Sequence, residues 1–572
     1  MKYFCFLIIL YYSLPCAGKI FPPLLPQPQK IVYTHEKLIL DQIYLENTEN
    51  LQEWCAWLHE TNTTVTSIPA PKTIKINILP QLPEIPLNSQ EGYKIKITNN
   101  QIHISATSST GTYRALQTIR QLTCKDKDIY YLPTCEITDW PAFRIRGFMH
   151  DVGRTYISLK ELKKEIELLS RFKINVFHWH LTENQAWRLE SKLYPELNSP
   201  QNMTRMPGKY YTLQEAKELV KFCKEHHVML IPEIDMPGHS EAFNRAFHAD
   251  MQSQKGMEIL KKLMDEVCET FDVPYIHIGT DEVKFTNPEF VPEMVRYVRS
   301  KGKKVISWNP GWNYQPGEID MTQLWSYRGK AQPGIPAIDC RFHYLNHFDT
   351  YADLVALYNS RIYNCGQGSE DIAGSILAIW NDRYITDEKQ IVAENNLYAN
   401  MLALAERAWL GGGTCYFDGP ETLLRTETPE TNQKFADFEQ RMLWHKHHTF
   451  AGEPFPYVRQ SHVKWNITDA FPNQGDLRKK FPPEDTEAET YEYEGKRYQT
   501  HTVNGAGIYL RHVWGNLVPG FYKNPQENHT AYATTWVYSP EQQSAGLLLE
   551  FQNYSRSESD LPPESGKWDY KE

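Results

Sequence analysis

A fold of the α/β class, built on a (β/α)8 TIM barrel with a smaller α/β domain before it and an all-β domain after it, follows from three patterns in this 572-residue chain. From about Trp140, short apolar runs alternate with helix-like segments, and about eight such runs occur, the number that closes a barrel. Before that point, segments alternating apolar and polar residues accompany an amphipathic helix. After about Ala451 the helical period fades, and strand-like stretches are separated by Gly and Pro turns. The expected division is a signal peptide at 1–18, an N-terminal α/β domain at 19–139, the barrel at 140–450 and a β-rich accessory domain at 451–572.

The elements justify this division in order. Lys2 precedes an apolar run from Tyr3 to Leu14, and Ala17 and Gly18 are small, the pattern of a secretory signal peptide too short to span a membrane. The expected location is therefore secreted or periplasmic. Cys16 offers lipoprotein anchoring as a second choice, which the neighbouring Pro15 disfavours. Segments 73–78, 93–98 and 101–105 read as strands, the last two joined by a hairpin turn at Asn99-Asn100. Residues 111–122 place Tyr113, Leu116, Ile119 and Leu122 on one helix face.

The candidate barrel strands are 145–152, 175–182, 228–234, 275–279, 304–308, 322–325, 338–344 and 376–380. Ser158 with Glu161, and Thr212 with Glu215, fit the capping box, in which a hydroxyl and a carboxylate satisfy amides at a helix start. Asn287-Pro288 offers a further helix start, and a long helix at 388–409 closes the barrel. In the tail, 491–493, 530–539 and 545–554 read as strands.

Composition narrows the function. Apolar residues at 41% and charged residues at 23% exclude wholesale disorder. A net charge of −10, with no Lys/Arg run, argues against nucleic acid as a partner. No segment after the leader is a transmembrane candidate. Aromatic residues reach 13%, including 15 Trp, which suits sugar binding as well as ordinary cores. The cysteines beyond the leader (Cys55, Cys124, Cys135, Cys223, Cys268, Cys340, Cys365 and Cys415) show no zinc-type spacing and read mostly as buried thiols, Cys124 with Cys135 being the one pair close enough in sequence to propose as a disulfide.

Barrel enzymes keep reactive groups at the C-terminal ends of their strands. The strongest such segment is Tyr275-Ile-His-Ile-Gly-Thr-Asp-Glu-Val283. Strand side chains alternate between faces. With Ile276 and Ile278 under the helices, His277 and Asp281 face the barrel interior. Glu282 shares that pocket only if the strand stops there. The second strand end carries His178, His180, Glu183 and Asn184, and the third carries Glu233, Asp235 and His239. The first carries Arg146, then Asp151 and Arg154. Arg154, Asp151 and Glu233 are expected to be halves of ion pairs that brace the barrel. Trp308, Trp325 and Trp380 also fall at strand ends, where several rings can wall a sugar pocket, and Tyr344, Asn346 and Asp382 add polar groups at that level.

These residues together resemble glycoside hydrolase family 20, the β-N-acetylhexosaminidases. The resemblance rests on Gly111-Thr-Tyr-Arg-Ala-Leu-Gln-Thr118, Arg146-Gly147, His178-Trp-His180, Pro232-Glu-Ile-Asp-Met-Pro-Gly-His239 and, most specifically, His277-Ile-Gly-Thr-Asp-Glu-Val283. The tail resembles accessory β domains of bacterial members. The resemblance implies an exo-acting, retaining hydrolase in which the 2-acetamido group of the sugar is the nucleophile, forming an oxazolinium intermediate. It implies that Asp281 holds the amide N–H and that Glu282 is the acid and then the base. It assigns Arg146 to the 3- and 4-hydroxyls, Tyr344 to the acetamido oxygen, and Asp382 to a 4- or 6-hydroxyl. Trp308, Trp325 and Trp380 wall the pocket, Asn346 lines it, and Glu183 and His239 form a supporting pair. The implied partner is a glycan with a terminal N-acetylhexosamine, with a second carbohydrate contact on the C-terminal domain, and no metal or organic cofactor is expected. The family often has Gly where Thr280 stands, a change of packing, and an Asp-Asp pair for Glu183-Asn184; it often has Asp for Asn346 and Glu for Asp382, and because these last two line the pocket near C4 and C6, preference there, for a galacto epimer or a 6-sulfated sugar, stays open.

Two rivals stand beside this reading. His178 and His180, with His239, His277 and a carboxylate, could hold zinc in a metal-dependent amidohydrolase. The same scaffold could also bind glycans without cleaving them.

Overall fold

A computed structural model describes residues 22–46, 51–87, 89–345, 352–414, 424–425, 429–505, 521–522 and 524–544. The leader with Cys16, together with Asn346, Cys415 and the strand expected at 545–554, lies outside these residues. Eight parallel strands form a closed barrel: β1 (Ile145–Asp151), β2 (Val176–His180), β3 (Met229–Glu233), β4 (Tyr275–His277), β5 (Lys304–Asn309), β6 (Met321–Leu324), β7 (Ala337–Asp339) and β8 (Ile372–Ile379), with β8 pairing back onto β1. All eight expected strands are present. The seventh is shorter than expected, because the chain leaves the ladder after Asp339 and only Tyr344 returns, as a bridge to Ala378.

The alternation holds. Met149, Val176, Ile231, Ile306, Trp308, Ile338 and Ile376 pack inside the barrel, whereas Phe148, Phe177, Leu230, Ile276, Ile278, Val305 and Leu377 pack under the helices. Thr212 and Glu215 form a complete capping box ahead of the helix Leu213–Glu225. At Ser158 only half of the box forms: its hydroxyl caps Glu161 N, while its own N–H donates to Glu388 instead. The helix after Asn287-Pro288 starts later than expected, at Phe290. The closing helix is two helices, Glu388–Glu394 and Leu397–Leu410, broken where Asn396 adopts φ +44°, a conformation asparagine tolerates.

The preceding domain is a mixed sheet in the order Lys30–Ile39, Ile129–Asp139, Tyr93–Ile97, Gln101–Ala106, Thr73–Ile78, Gln42–Glu46 and Thr64–Thr66, covered by the helices Leu51–Glu60 and Ser109–Leu122. Cys124 and Cys135 are free thiols, so the proposed disulfide does not form. The C-terminal region contains small antiparallel sheets built on Lys464–Thr468, Thr490–Tyr493 and Lys496–Asn504. The single strand expected at 530–539 is reduced to His529–Thr530 and Ala533–Thr534, pairing with two different partners. No helix among the described residues is long and apolar enough to cross a membrane.

Candidate active site

The site lies at the C-terminal ends of β1 to β8, and its centre is the turn after β4. The ladder ends at His277, and Gly279, Thr280 and Glu282 take φ of +67°, +86° and +47°. A strand continuing past Gly279 would send Asp281 and Glu282 to opposite faces; this turn brings both to one imidazole. His239 Nε2 lies 3.8 Å from Asp281 Oδ2 and 3.6 Å from Glu282 Oε2. The approach is close-packed: a Cβ on Gly279 would sit 1.7 Å from Asp235 Oδ1, so only glycine fits there. The two acids differ in environment. The Asp281 side chain is 9% exposed and that of Glu282 55%, so one is shielded by protein and the other reaches into open space.

The electrostatics follow from this packing. Burial, reinforced by the Glu233 and Glu282 charges against the attraction of His239, raises the Asp281 carboxyl to about 6. Burial and the adjacent Asp281 push Asp235 well above the carboxylate range, so Asp235 is the neutral member of the pair. His239 Nδ1 lies 2.6 Å from Glu183 Oε1. Burial disfavours charge on His239, but the Glu183 hydrogen bond and the acidic side chains gathered around the ring outweigh it and lift the imidazole to about 11. Burial likewise opposes ionisation of Glu183, yet Arg154 and His239 hold it down at about 2.

Beneath the acids sits a nest around Glu233. Its Oε2 takes His178 Nε2 at 2.8 Å and His180 Nδ1 at 2.6 Å, and its Oε1 takes Trp308 Nε1 at 2.7 Å. Burial drives His178 down to about 4; against the same burial, Glu233 raises His180 to about 9. Of the two imidazoles on Glu233 Oε2, one is thus held charged and the other neutral, while His277 Nδ1 lies 3.1 Å from Oε1. Ligand-type atoms of His178, Glu233 and His277 come within 4.8 Å of one another, as do those of His180, Glu233 and Asp235, and of Asp235, His239 and Asp281.

The remaining expected residues are placed as follows. Trp308 is fully buried, its ring 5.9 Å from that of Trp380, which in turn lies 5.7 Å from Tyr344. Trp325 packs on the barrel interior and donates to Pro310 O at 2.6 Å. Tyr344 is half-buried at the barrel interior, and desolvation holds its phenol protonated. Asp382 Oδ1 is 3.5 Å from Arg154 Nε.

Arg146 is a correction. It is the second residue of β1, on the outward parity with Phe148, and its guanidinium pairs with Glu91 of the N-terminal domain at 2.5 Å. Five residues of strand, about 16 Å, separate it from the end of β1 where the site lies, so it cannot touch a sugar there. Arg154, three residues beyond β1, is the guanidinium at the mouth: it meets Asp151 at 2.9 Å and Glu183 at 2.7 Å and lies over the Trp380 ring at 5.4 Å. Arg154 and Asp235 were thus legible from position alone, as polar groups at the ends of β1 and β3.

Comparisons agree with this architecture. The profile of the glycosyl hydrolase family 20 catalytic domain matches residues 143–306, and that of domain 2 of the same family matches residues 22–140. A β-hexosaminidase of Porphyromonas gingivalis is 26% identical over 437 residues, covering 62% of this chain and 53% of that protein, so the chain spans about half the length of this relative. β-Hexosaminidase A of Caenorhabditis briggsae is 25% identical over 481 residues, covering 67% and 85% of the two chains. The crystal structure of a β-N-acetylhexosaminidase from Bacteroides fragilis superposes with a TM-score of 0.59 at 26% identity, over 73% of this chain and 95% of that one.

Proposed function

The chain belongs to glycoside hydrolase family 20, and on that premise we propose that it is an exo-acting, retaining β-N-acetylhexosaminidase that releases terminal GlcNAc or GalNAc from glycans. The observation that carries the reading is the convergence of Asp281 and Glu282, adjacent in sequence, on His239. In the proposed reaction Glu282, the exposed acid, protonates the glycosidic oxygen as the C1–O bond breaks. The carbonyl oxygen of the sugar's 2-acetamido group bonds to C1, giving the cyclic oxazolinium. Asp281 accepts the amide N–H and balances the positive charge. Glu282, now a carboxylate, takes a proton from water, whose oxygen attacks C1 and reopens the ring with the anomeric configuration retained. Asp235, neutral and buried, does not compete as a nucleophile.

With Arg146 at the far end of the barrel, the 3- and 4-hydroxyls fall to Arg154, steadied by Asp151 and Glu183. Trp380 and Trp325 wall the pocket, Tyr344 receives the acetamido oxygen, and Asp382 faces the 4- or 6-hydroxyl. An aspartate there is one methylene shorter than a glutamate and leaves room for a 6-substituent. The apolar leader supports export. Trp536, 73% exposed on the C-terminal region, supports a second sugar contact there. Against the metal-dependent rival, His178 Nε2 and His180 Nδ1 already hydrogen-bond to Glu233, which also accepts from Trp308 Nε1.

A panel of aryl N-acetyl-β-hexosaminides differing at C2, C4 and C6 tests the reading, with the product anomer followed by proton NMR. Release of β-configured N-acetylhexosamine, and none from the 2-hydroxy glucoside, is expected. Turnover indifferent to the 2-acetamido group, or a product of inverted configuration, would sink the mechanism, and no turnover of any member would leave a glycan-binding protein.

A further inference from the structure

The turn that presents the two acids contains a residue poorly suited to its backbone. Thr280 is fully buried at φ +86°, a region glycine enters freely and a β-branched residue enters rarely. Such a conformation persists only where its surroundings over-determine it. Here the surroundings form a closed chain of hydroxyls on the helix-facing side of β4 and β5. Thr280 Oγ1 lies 2.6 Å from Ser307 Oγ, Tyr314 OH donates to Ser307 Oγ at 2.9 Å, and Ser307 Oγ donates to the Gly279 carbonyl at 3.0 Å.

A serine has one proton to give and two lone pairs with which to accept. With its proton on Gly279 O (Trp308 O, at 3.4 Å, is the weaker alternative), Ser307 has lone pairs to accept from both Thr280 and Tyr314. Glycines close the turn from both sides. A Cβ on Gly311 would lie 2.6 Å from Thr280 O, and one on Gly238 would lie 2.6 Å from Asp281 O.

We propose that Thr280 is a positioning residue: its hydroxyl, tethered through Ser307 to Tyr314 and to the Gly279 carbonyl, holds the turn in the one conformation that points Asp281 and Glu282 into the same pocket. The inference rests on the reading that these acids carry the reaction. It assigns to this chain's Thr280 a function beyond filling space.

Three variants test it. Thr280→Val keeps shape and β-branching but loses the donor, Thr280→Ser keeps the donor, and Tyr314→Phe removes the hydroxyl at the far end. On an aryl N-acetyl-β-glucosaminide, Thr280→Val should lower kcat roughly ten- to hundredfold with KM within about threefold, Thr280→Ser should stay within about threefold of the parent, and Tyr314→Phe should fall between, as expected when reacting groups are displaced by a fraction of an ångström to an ångström. The Asp281 carboxyl, followed by carbon-13 NMR among its titratable neighbours His239, Asp235, Glu233 and Glu282, should titrate lower in Thr280→Val, because a loosened turn admits water. Unchanged kcat and an unchanged Asp281 midpoint in a folded Thr280→Val would overturn the proposal. Should that variant not fold, the same two results in Tyr314→Phe would overturn it. A parent protein that turns over no hexosaminide refutes the functional reading instead, and the NMR midpoints still decide whether the tether acts.

Discussion

The two ends of the barrel bury the same kinds of charged residue and do opposite things with them. At the N-terminal end, Glu91 receives Arg146 at 2.5 Å, Arg114 at 2.7 Å and Asn175 at 2.9 Å, while Arg146 spends its other donors on Lys173 O and Phe143 O. Beside it Asp139 receives Lys173 at 2.8 Å, Tyr93 OH at 2.5 Å and Trp409 Nε1 at 2.7 Å. Burial alone would raise Glu91, yet its two arginines hold it at about 2. At the C-terminal end, both oxygens of Asp235 and Oδ1 of Asp281 are buried with no hydrogen-bond partner among the described residues, and both carboxyls are pushed upward. A buried charge whose partners are complete joins two domains. A buried carboxyl left without partners costs stability and leaves hydrogen-bonding capacity open to a substrate.

The largest effect expected from this contrast is at Glu282. Glu282→Gln should lower kcat on unactivated glycans roughly 10²–10⁴-fold while leaving sugar binding by calorimetry intact, the range for a positioned acid–base group. The two arginines sharpen the contrast further. Arg154→Ala should cost turnover, whereas Arg146→Ala should cost up to about 3–5 kcal/mol of stability, the price of breaking a buried pair, with kcat per folded molecule unchanged. Lost turnover at an unaltered melting temperature in Arg146→Ala would reverse the assignment of the two ends.

A smaller effect concerns pH. The Asp281 carboxyl rises from its ordinary 3.8 to about 6 in the folded chain. Below pH 4 both states hold the proton, and above 6 neither does. In between, the folded state keeps a proton the unfolded state has released, so wild-type stability falls as pH rises through this window, by up to about 3 kcal/mol. Asp281→Asn should therefore melt as wild type does near pH 4 and above it at pH 7. A gap independent of pH would show that the carboxyl is not strained. Because the proposed role needs the carboxylate, kcat/KM of the wild type should also fall below pH 6. The smallest effect is that of EDTA, expected to leave turnover unchanged; loss reversed by added zinc would transfer the chemistry to the histidine nest.

Much of this was legible in the chain itself. Eight buried strands announce themselves as apolar runs because both faces of a parallel barrel strand are covered. The rule that polar residues cluster where such runs stop located Asp281, Glu282, Glu183 and His239. The same rule applied strictly to β1 selects Arg154 over Arg146; the two are separated by the length of a strand, which the spacing of residues states and a motif match conceals. The break at Asn396 and the splitting of 530–539 were not legible, because helical period and β-propensity report one segment's preference and say nothing of the partner that interrupts it.

The order of residues by itself determined the barrel, its flanking domains and the pairing of an aspartate with a glutamate at the end of its fourth strand, since these depend on local pattern and chain distance alone. Only the tertiary structure decided that both acids face one imidazole, that Asp235 is the neutral partner and that Arg146 belongs to the opposite end. Each depends on which charges are brought together and how far water is excluded from between them.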